Sequence, residues 1–357
     1  MKILNITFNK RIGGLEKIYL SYTDMLVQEG HDIYTIIPVN SYVEKELALR
    51  NIPIKCKKYI SNKLSHLNPF SVWNLRKEIE SIKPDIILVH NSRPLRLLQK
   101  SVRKTCPIVT VHHGGKLDYL VKYSDHIICI AKYMEKELVA KGFAPDNIHY
   151  VPNFLEINRP YRQRKIPQEK KDIVIGTIAR LSSEKGIDVF LEALSMLTIP
   201  YKGLVAGDGP LKPDLEQYAK KNAINVEFLG WLHDSAKDKF FDMCDILVIP
   251  SRFEPFGLTI IEGWENSLPV IATKSKGAKE IIRHNDTGFL VEIDDATSIA
   301  RKISEISENY NSSVSITHTA YDTLLKEYSY ETSKEHLIST LTKIIAFPLF
   351  NNHRKSR

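Results

Sequence analysis

Short, mostly apolar runs, many followed by a stretch of helical periodicity, recur along this chain in two series. The first holds Ile3–Phe8, Asp32–Val39, Ile86–His90, Ile108–His112 and His126–Ala131, with helical spacing over Glu16–Glu29 and Pro69–Ile82. The second holds Ile173–Ile178, Gly203–Ala206, Val226–Leu229, Ile246–Pro250, Val270–Ala272 and Gly288–Val291. Its helices fit Gly186–Leu197, Pro210–Lys221, Ser235–Met243, Gly257–Glu265 and Ala296–Asn309. A strand with one wet face alternates apolar and polar residues. A strand apolar throughout needs cover on both faces, which parallel sheets flanked by helices provide. The fold class is therefore α/β, with two Rossmann-like, doubly wound domains facing across a cleft where strand ends converge. A length of 357 residues suits two such domains.

The pattern breaks over Glu156–Asp172, which is rich in Arg, Lys, Gln and Pro. This gives an N-terminal, acceptor-side domain over residues 1–155, a linker over 156–171 and a C-terminal domain over 172–330. Residues 331–357 complete the chain, as a helix over 331–346 expected to cross back to the first lobe and a basic tail at Asn351–Arg357.

No apolar run reaches the about eighteen residues of a membrane-spanning helix. Met1–Phe8 reads as a buried strand, without the basic start and cleavage site of a signal peptide. Cys56, Cys106, Cys129 and Cys244 lack metal-ligand spacing and suit free thiols in the reducing cytoplasm. Residues 1–165 carry 27 Lys and Arg against 15 Asp and Glu, and the remainder 23 against 27. The excess in the first half suggests an anionic partner for it, weighed against a generic solubilising surface.

Five clusters carry potential chemistry. Gly176–Gly186 contains Arg180 and Lys185 between a strand and a helix, where a planar fork and a point charge can both meet a diphosphate. Ala206–Leu211 is a glycine-rich turn at a strand end. Glu254–Glu262 sets two carboxylates around Phe256, Gly257 and Leu258, whose backbone N–H groups would open a helix. Lys10–Glu16 contains Gly13 and Gly14 after the first strand, but not the dinucleotide fingerprint. Thr110–Gly115 ends a buried strand with His112 and His113, one of which can be functional while the other is structural. Each cluster alone is equally explained by ordinary turns, caps and solvated side chains.

In their order and intervals, these clusters together with Phe228-Leu229-Gly230-Trp231 resemble the retaining family 4 glycosyltransferases, over roughly residues 1–340. The resemblance implies the GT-B fold and a nucleotide-diphosphate-sugar donor. Arg180 and Lys185 would hold the diphosphate, and Gly13 and Gly14 would approach it from the opposite lobe. Glu254 would contact the transferred sugar, and Glu262 the ribose hydroxyls. The base would lie near Gly230 and Trp231, and Phe256, Gly257 and Leu258 would bind the donor, their backbone N–H groups able to meet phosphate. His112 would be the active-site histidine, with His113 the less favoured alternative. The expected catalytic set is then His112, Glu254, Arg180 and Lys185. No Asp-x-Asp occurs, so neither an essential metal nor another cofactor is expected. The sequence departs from the family at Val151–Glu156, where an Asn-Gly is common, and at Ala131, where serine is common.

The acceptor implied is a glycan or a lipid-linked molecule, in lipopolysaccharide or surface-polysaccharide synthesis, handled by a hexosyltransferase. Arg93–Lys104, a basic amphipathic stretch, with Lys55, Lys57, Lys58 and Lys63, is expected to dock the first lobe on anionic lipid at the inner face of the plasma membrane. Rival readings are a nucleotide-sugar epimerase-like enzyme of the same fold and a noncatalytic nucleotide- or sugar-binding protein. A nucleic-acid partner is not expected, because no recognition motif accompanies the basic half. A dehydrogenase is disfavoured by the missing fingerprint.

Overall fold

The computed structural model describes residues 1–9, 14–50, 55–59, 68–90, 92–101, 106–114, 122–164 and 172–347. They form two compact units: Met1–Asn153 with the segment from Ser333 onward, and Phe154–Thr332. The chain passes between the units twice, at Asn153–Phe154 and at Thr332–Ser333.

The first unit contains β1 (Lys2–Ile6), α1 (Gly14–Gln28), β2 (Asp32–Pro38), α2 (Tyr42–Leu49), β3 (Lys55–Tyr59), α3 (Pro69–Ile82), β4 (Ile86–Val89) and α4 (Arg93–Ser101). It continues with β5 (Ile108–His112), β6 (His126–Cys129), α5 (Tyr133–Ala140) and β7 (Ile148–Tyr150). The seven strands are parallel in the order β3-β2-β1-β4-β5-β6-β7. Every residue of β4, β5 and β6 is buried, as a strand covered on both faces requires.

The second unit repeats the plan. It contains β8 (Ile173–Ile178), α6 (Ile187–Ser195), β9 (Tyr201–Ala206), α7 (Lys212–Lys221), β10 (Val226–Gly230), α8 (Asp234–Met243) and β11 (Ile246–Ile249). After these come α9 (Leu258–Glu265), β12 (Val270–Thr273), α10 (Lys276–Ile281), β13 (Phe289–Val291), α11 (Ala296–Glu308) and α12 (Tyr310–Glu327). The sheet is parallel, in the order β10-β9-β8-β11-β12-β13. Strand order reverses beside β1 in the first sheet and beside β8 in the second, which is where open sheets of this kind carry their ligands.

Helix α13 (Tyr330–Ala346) starts in the second unit and continues in the first. There Ser333 donates to the Pro152 carbonyl at 3.1 Å, Lys334 meets Glu29 at 3.5 Å, and Leu337, Leu341 and Ile344 are buried.

Two expectations change. Residues 156–164, expected as a solvated linker, are strapped to the second unit. Arg164 donates to the carbonyls of Cys244 (2.6 Å), Phe241 (2.8 Å) and Asn266 (2.9 Å), and Arg159 pairs with Asp242. The arginines that made this stretch look solvated are the groups that satisfy those carbonyls. The basic amphipathic stretch forms α4, whose Leu95, Leu97 and Leu98 are buried in the first unit's core. Its apolar face is therefore committed to packing and is not open to lipid. Lys55, Lys57 and Lys58 lie in β3, an edge strand, where lysines discourage pairing with another chain. Lys63, Arg103, Lys104 and the basic tail lie outside the described residues.

Candidate functional site

In the second unit the site is built on the loops after β8 and β11, at the reversal of strand order. The loop after β8 turns through a short 3-10 segment, Ser183–Lys185, into α6. Gly186 joins the two at φ +64°, and a Cβ there would sit 2.1 Å from the Pro250 carbonyl oxygen. Only glycine lets this loop close onto the end of β11. Lys185 then reaches the loop after β11, where its ammonium donates to the Glu254 carboxylate at 2.6 Å. Both side chains are largely shielded, at 22% and 14% exposure, which strengthens the pair relative to a surface one. The Arg180 guanidinium is exposed and has no ion pair among the described residues.

Arg252 fixes this geometry from behind. It donates to both carboxylate oxygens of Asp188 on α6 (2.9 and 2.6 Å), to Asp294 (2.6 Å) and to the Ser183 carbonyl (2.6 Å). These partners raise its pKa further above an already high value. The Phe253 N–H adds a bond to the Glu184 carbonyl at 3.1 Å. The two loops are thus tied by backbone and side chain together.

Glu254 is followed by the start of α9. Gly257 caps it at φ +113°, where a Cβ would meet the Ile260 side chain at 2.6 Å. Leu258 is the first residue of the helix. The Phe256 ring is buried against Tyr328, so what Phe256 can offer a ligand is its backbone. Ile260, Ile261 and Trp264 face the core, which leaves Glu262 on the accessible side of α9. Its carboxylate accepts from Lys237 of α8 at 2.6 Å. Gly230 ends β10 at φ +68° after a register shift, and Trp231 follows it half-exposed beside His233. Arg180, Lys185, Glu254, Glu262, Gly230 and Trp231 therefore all sit at the C-terminal ends of neighbouring strands or on the helices that follow them.

In the first unit Gly14 opens α1, while Gly13, Lys10 and Arg11 lie outside the described residues. Glu16, buried in the first turn of α1, accepts from the Asn9 side chain at 2.6 Å and so ties the helix to the end of β1. His112 ends β5 and is buried; burial brings its pKa down to about 4, with Glu137 opposing and Lys141 assisting. His113 turns to His90 at the end of β4, with 3.3 Å between Nε2 and Nδ1 and the rings stacked at 5.5 Å. Tyr19 and Tyr22 meet the His90 ring edge-on at 5.0 and 5.3 Å. Burial lowers His113 to about 3 and holds His90 well below the usual range. The three imidazoles are neutral at physiological pH. His113 is engaged with His90, which leaves His112 as the histidine not tied into that pair.

The sequence matches known families over both units. The description Glycosyl transferases group 1 matches residues 159–323, and Glycosyltransferase Family 4 matches residues 12–159. The chain is a family 4 glycosyltransferase with the GT-B fold. This glycosyltransferase is similar to an uncharacterized glycosyltransferase of Methanocaldococcus jannaschii, 28% identical over 81% of this chain and 84% of the relative. It is also similar to the lipopolysaccharide core biosynthesis glycosyltransferase LpsE of Rhizobium meliloti, 25% identical over 93% and 96% of the two chains. Among solved structures, Anabaena HepE in complex with UDP and glucose superimposes with a TM-score of 0.79 at 20% identity, covering 96% of this chain and 99% of HepE.

Reading the glycosyltransferase's sequence missed Lys237, Arg252 and His90. Lys237 sits in an acid- and lysine-rich helix that looks like any solvated one. Arg252, two residues before Glu254, was within reach, since a cation beside a loop carboxylate calls for an assigned partner.

Proposed function

We propose that this glycosyltransferase transfers a hexose from a nucleotide-diphosphate sugar to a glycan or lipid-linked acceptor, with retention of configuration, in lipopolysaccharide or surface-polysaccharide synthesis at the inner face of the plasma membrane. The observation that carries this reading is the Lys185–Glu254 pair, which joins the loops after β8 and β11 at the reversal of strand order. A UDP-linked donor is the first to test, because HepE was solved with UDP and glucose, and the LpsE name supports an acceptor in the lipopolysaccharide core.

In the proposed reaction the bond between the sugar C1 and the β-phosphate oxygen breaks, and its electron pair leaves with the diphosphate. Arg180 and Lys185, with the N–H groups at the start of α9, stabilise that charge. Glu254 orients the sugar while held by Lys185. Glu262 receives the ribose hydroxyls. Gly230 and Trp231 flank the base, and Gly13 and Gly14 give the diphosphate close backbone approach. The acceptor hydroxyl attacks C1 from the face the diphosphate leaves, and its proton passes to a donor phosphate oxygen. His112, neutral by burial, acts as a hydrogen-bonding group toward the sugar and not as a cation. Two protein cations supply the positive charge a divalent metal would bring, so activity is proposed to survive chelation.

The test is a thermal-shift screen against UDP, GDP, ADP, CMP and their sugar conjugates. A ligand that binds only the folded state raises its melting temperature. A shift with one diphosphate, lost in Glu262→Ala and Arg180→Ala, supports the reading. No shift with any of them, or shifts that survive both substitutions, overturns it.

A further inference from the structure

Helix α3 carries two aromatic side chains that its own fold does not use. Leu75, Ile79 and Ile82 are buried and fix which side of the helix faces the sheet. At 100° per residue, Phe70, Trp73 and Lys77 fall on the opposite side. Phe70 is 76% exposed and Trp73 57% exposed. The Lys77 ammonium lies over the Trp73 ring, 5.3 Å from its centre. In the helix Arg76 and Lys77 are followed by Glu78 and the exposed Glu80, so the basic residues sit toward the rings and the acids toward the C-terminal end. Arg76 reaches α4, donating to the Lys100 carbonyl at 2.8 Å, which brings the exposed Lys100 to the same edge. The result is a pair of large rings with Lys77 stacked on one and the end of α4 held alongside by Arg76, on the half of the chain that holds 27 basic against 15 acidic residues.

Rings of this size stay in water at a cost unless something covers them. Tryptophan and phenylalanine beside lysine and arginine match a bilayer boundary, where the rings enter the acyl margin and the cations stay with the phosphates. A lysine stacked on a tryptophan keeps its charge at headgroup level while the ring goes below. We propose that the N-terminal half of α3 docks this unit on an anionic bilayer, with Phe70 and Trp73 inserted and Lys77 and Lys100 against lipid phosphates. The proposal moves the contact from α4, whose leucines are buried, to α3. It rests on the reading that the acceptor is lipid-linked.

The test mixes full-length protein with phosphatidylcholine vesicles, with and without phosphatidylglycerol, and reads flotation and tryptophan emission. The expected result is salt-sensitive flotation with the anionic vesicles only, and a blue shift that Trp73→Phe removes and Trp231→Phe leaves, because Trp264 is buried already and the half-exposed Trp231 belongs to the second unit. Phe70→Ser with Trp73→Ser should lower partitioning by about tenfold or more. Lys77→Gln with Lys100→Gln should lower it a few-fold and flatten its salt dependence. The UDP thermal shift should be unchanged in both variants, which shows that they fold. Equal flotation on neutral vesicles, flotation unaffected by the serine variant, no flotation of the unaltered protein, or a serine variant that changes only the sedimenting mass would each overturn the proposal. The last result would assign the patch to a second copy of the chain. Vesicle binding with no nucleotide shift would overturn the donor reading and leave the surface standing.

Discussion

Each carboxylate of the proposed donor site is held by a lysine from a different element: Glu254 by Lys185 and Glu262 by Lys237. A carboxylate has about four lone-pair positions, so one ammonium fixes its plane and leaves room for sugar hydroxyls. Replacing Lys185 with alanine removes both a leaving-group cation and the partner of Glu254. The expected loss is about 10²–10³ in kcat, on the scale of removing one preorganised oxyanion donor, measured with UDP-sugar turnover. Lys237→Met should act differently, because Lys237 orients a binding group and takes no part in the chemistry. UDP binding should weaken about two- to fivefold by calorimetry, in line with a partly exposed pair, with kcat unchanged. Tighter binding in that variant would show that Lys237 competes with the ribose for Glu262.

At the scale of elements, what could be read in the chain depended on what burial leaves in it. Strands β4, β5, β8, β11 and β12 stand as largely apolar runs because both faces are covered, and they occur close to where the pattern puts them. The edge strand β3, with three lysines in five residues, and the three-residue β7 carry no such run and were not anticipated. Helix α12, rich in Ser, Thr, Asn and Tyr, has weak intrinsic helical preference and is set by packing, including against α9. The site was legible in the same uneven way. Glu254, Glu262, Arg180 and Lys185 stand out by order and interval, whereas the 69-residue separation of Lys185 from Glu254 hides that they touch. Arg164 shows the converse error, a strap bonded to the second unit read as a solvated linker. Arg164→Ala would leave the carbonyls of Phe241, Cys244 and Asn266 without their charged donor, and should destabilise the second unit by about 2–4 kcal/mol in urea unfolding. A change under about half a kcal/mol would restore the linker reading.

Across the whole molecule the buried and half-buried histidines are distributed unevenly, and this should make the two units differ in acid. His90, His112, His113, His126 and His149 all belong to the first unit, and burial lowers the pKa of every one. His126, brought to about 4, shares a 3.1 Å contact with His149, whose ring also lies near Lys343 of α13. A histidine whose folded pKa is depressed is neutral in both states above about pH 6.5 and contributes no pH dependence there. As pH falls below 6.5 the unfolded chain takes up protons that the folded unit refuses, so stability is lost until the folded pKa is reached. Each such ring removes about 1.4 kcal/mol per pH unit within that window. Hydrogen exchange resolved by peptide, corrected for intrinsic rates, should therefore show the first unit opening more readily from pH 6.5 to 5, above the range where most carboxylates titrate. The second unit should change less, since His284 is its only histidine shifted in this direction among the described residues, and it is more exposed. His126→Gln should flatten the first unit's slope by about one proton. Equal slopes in the two units, or a slope indifferent to that substitution, would place the acid sensitivity outside the buried imidazoles.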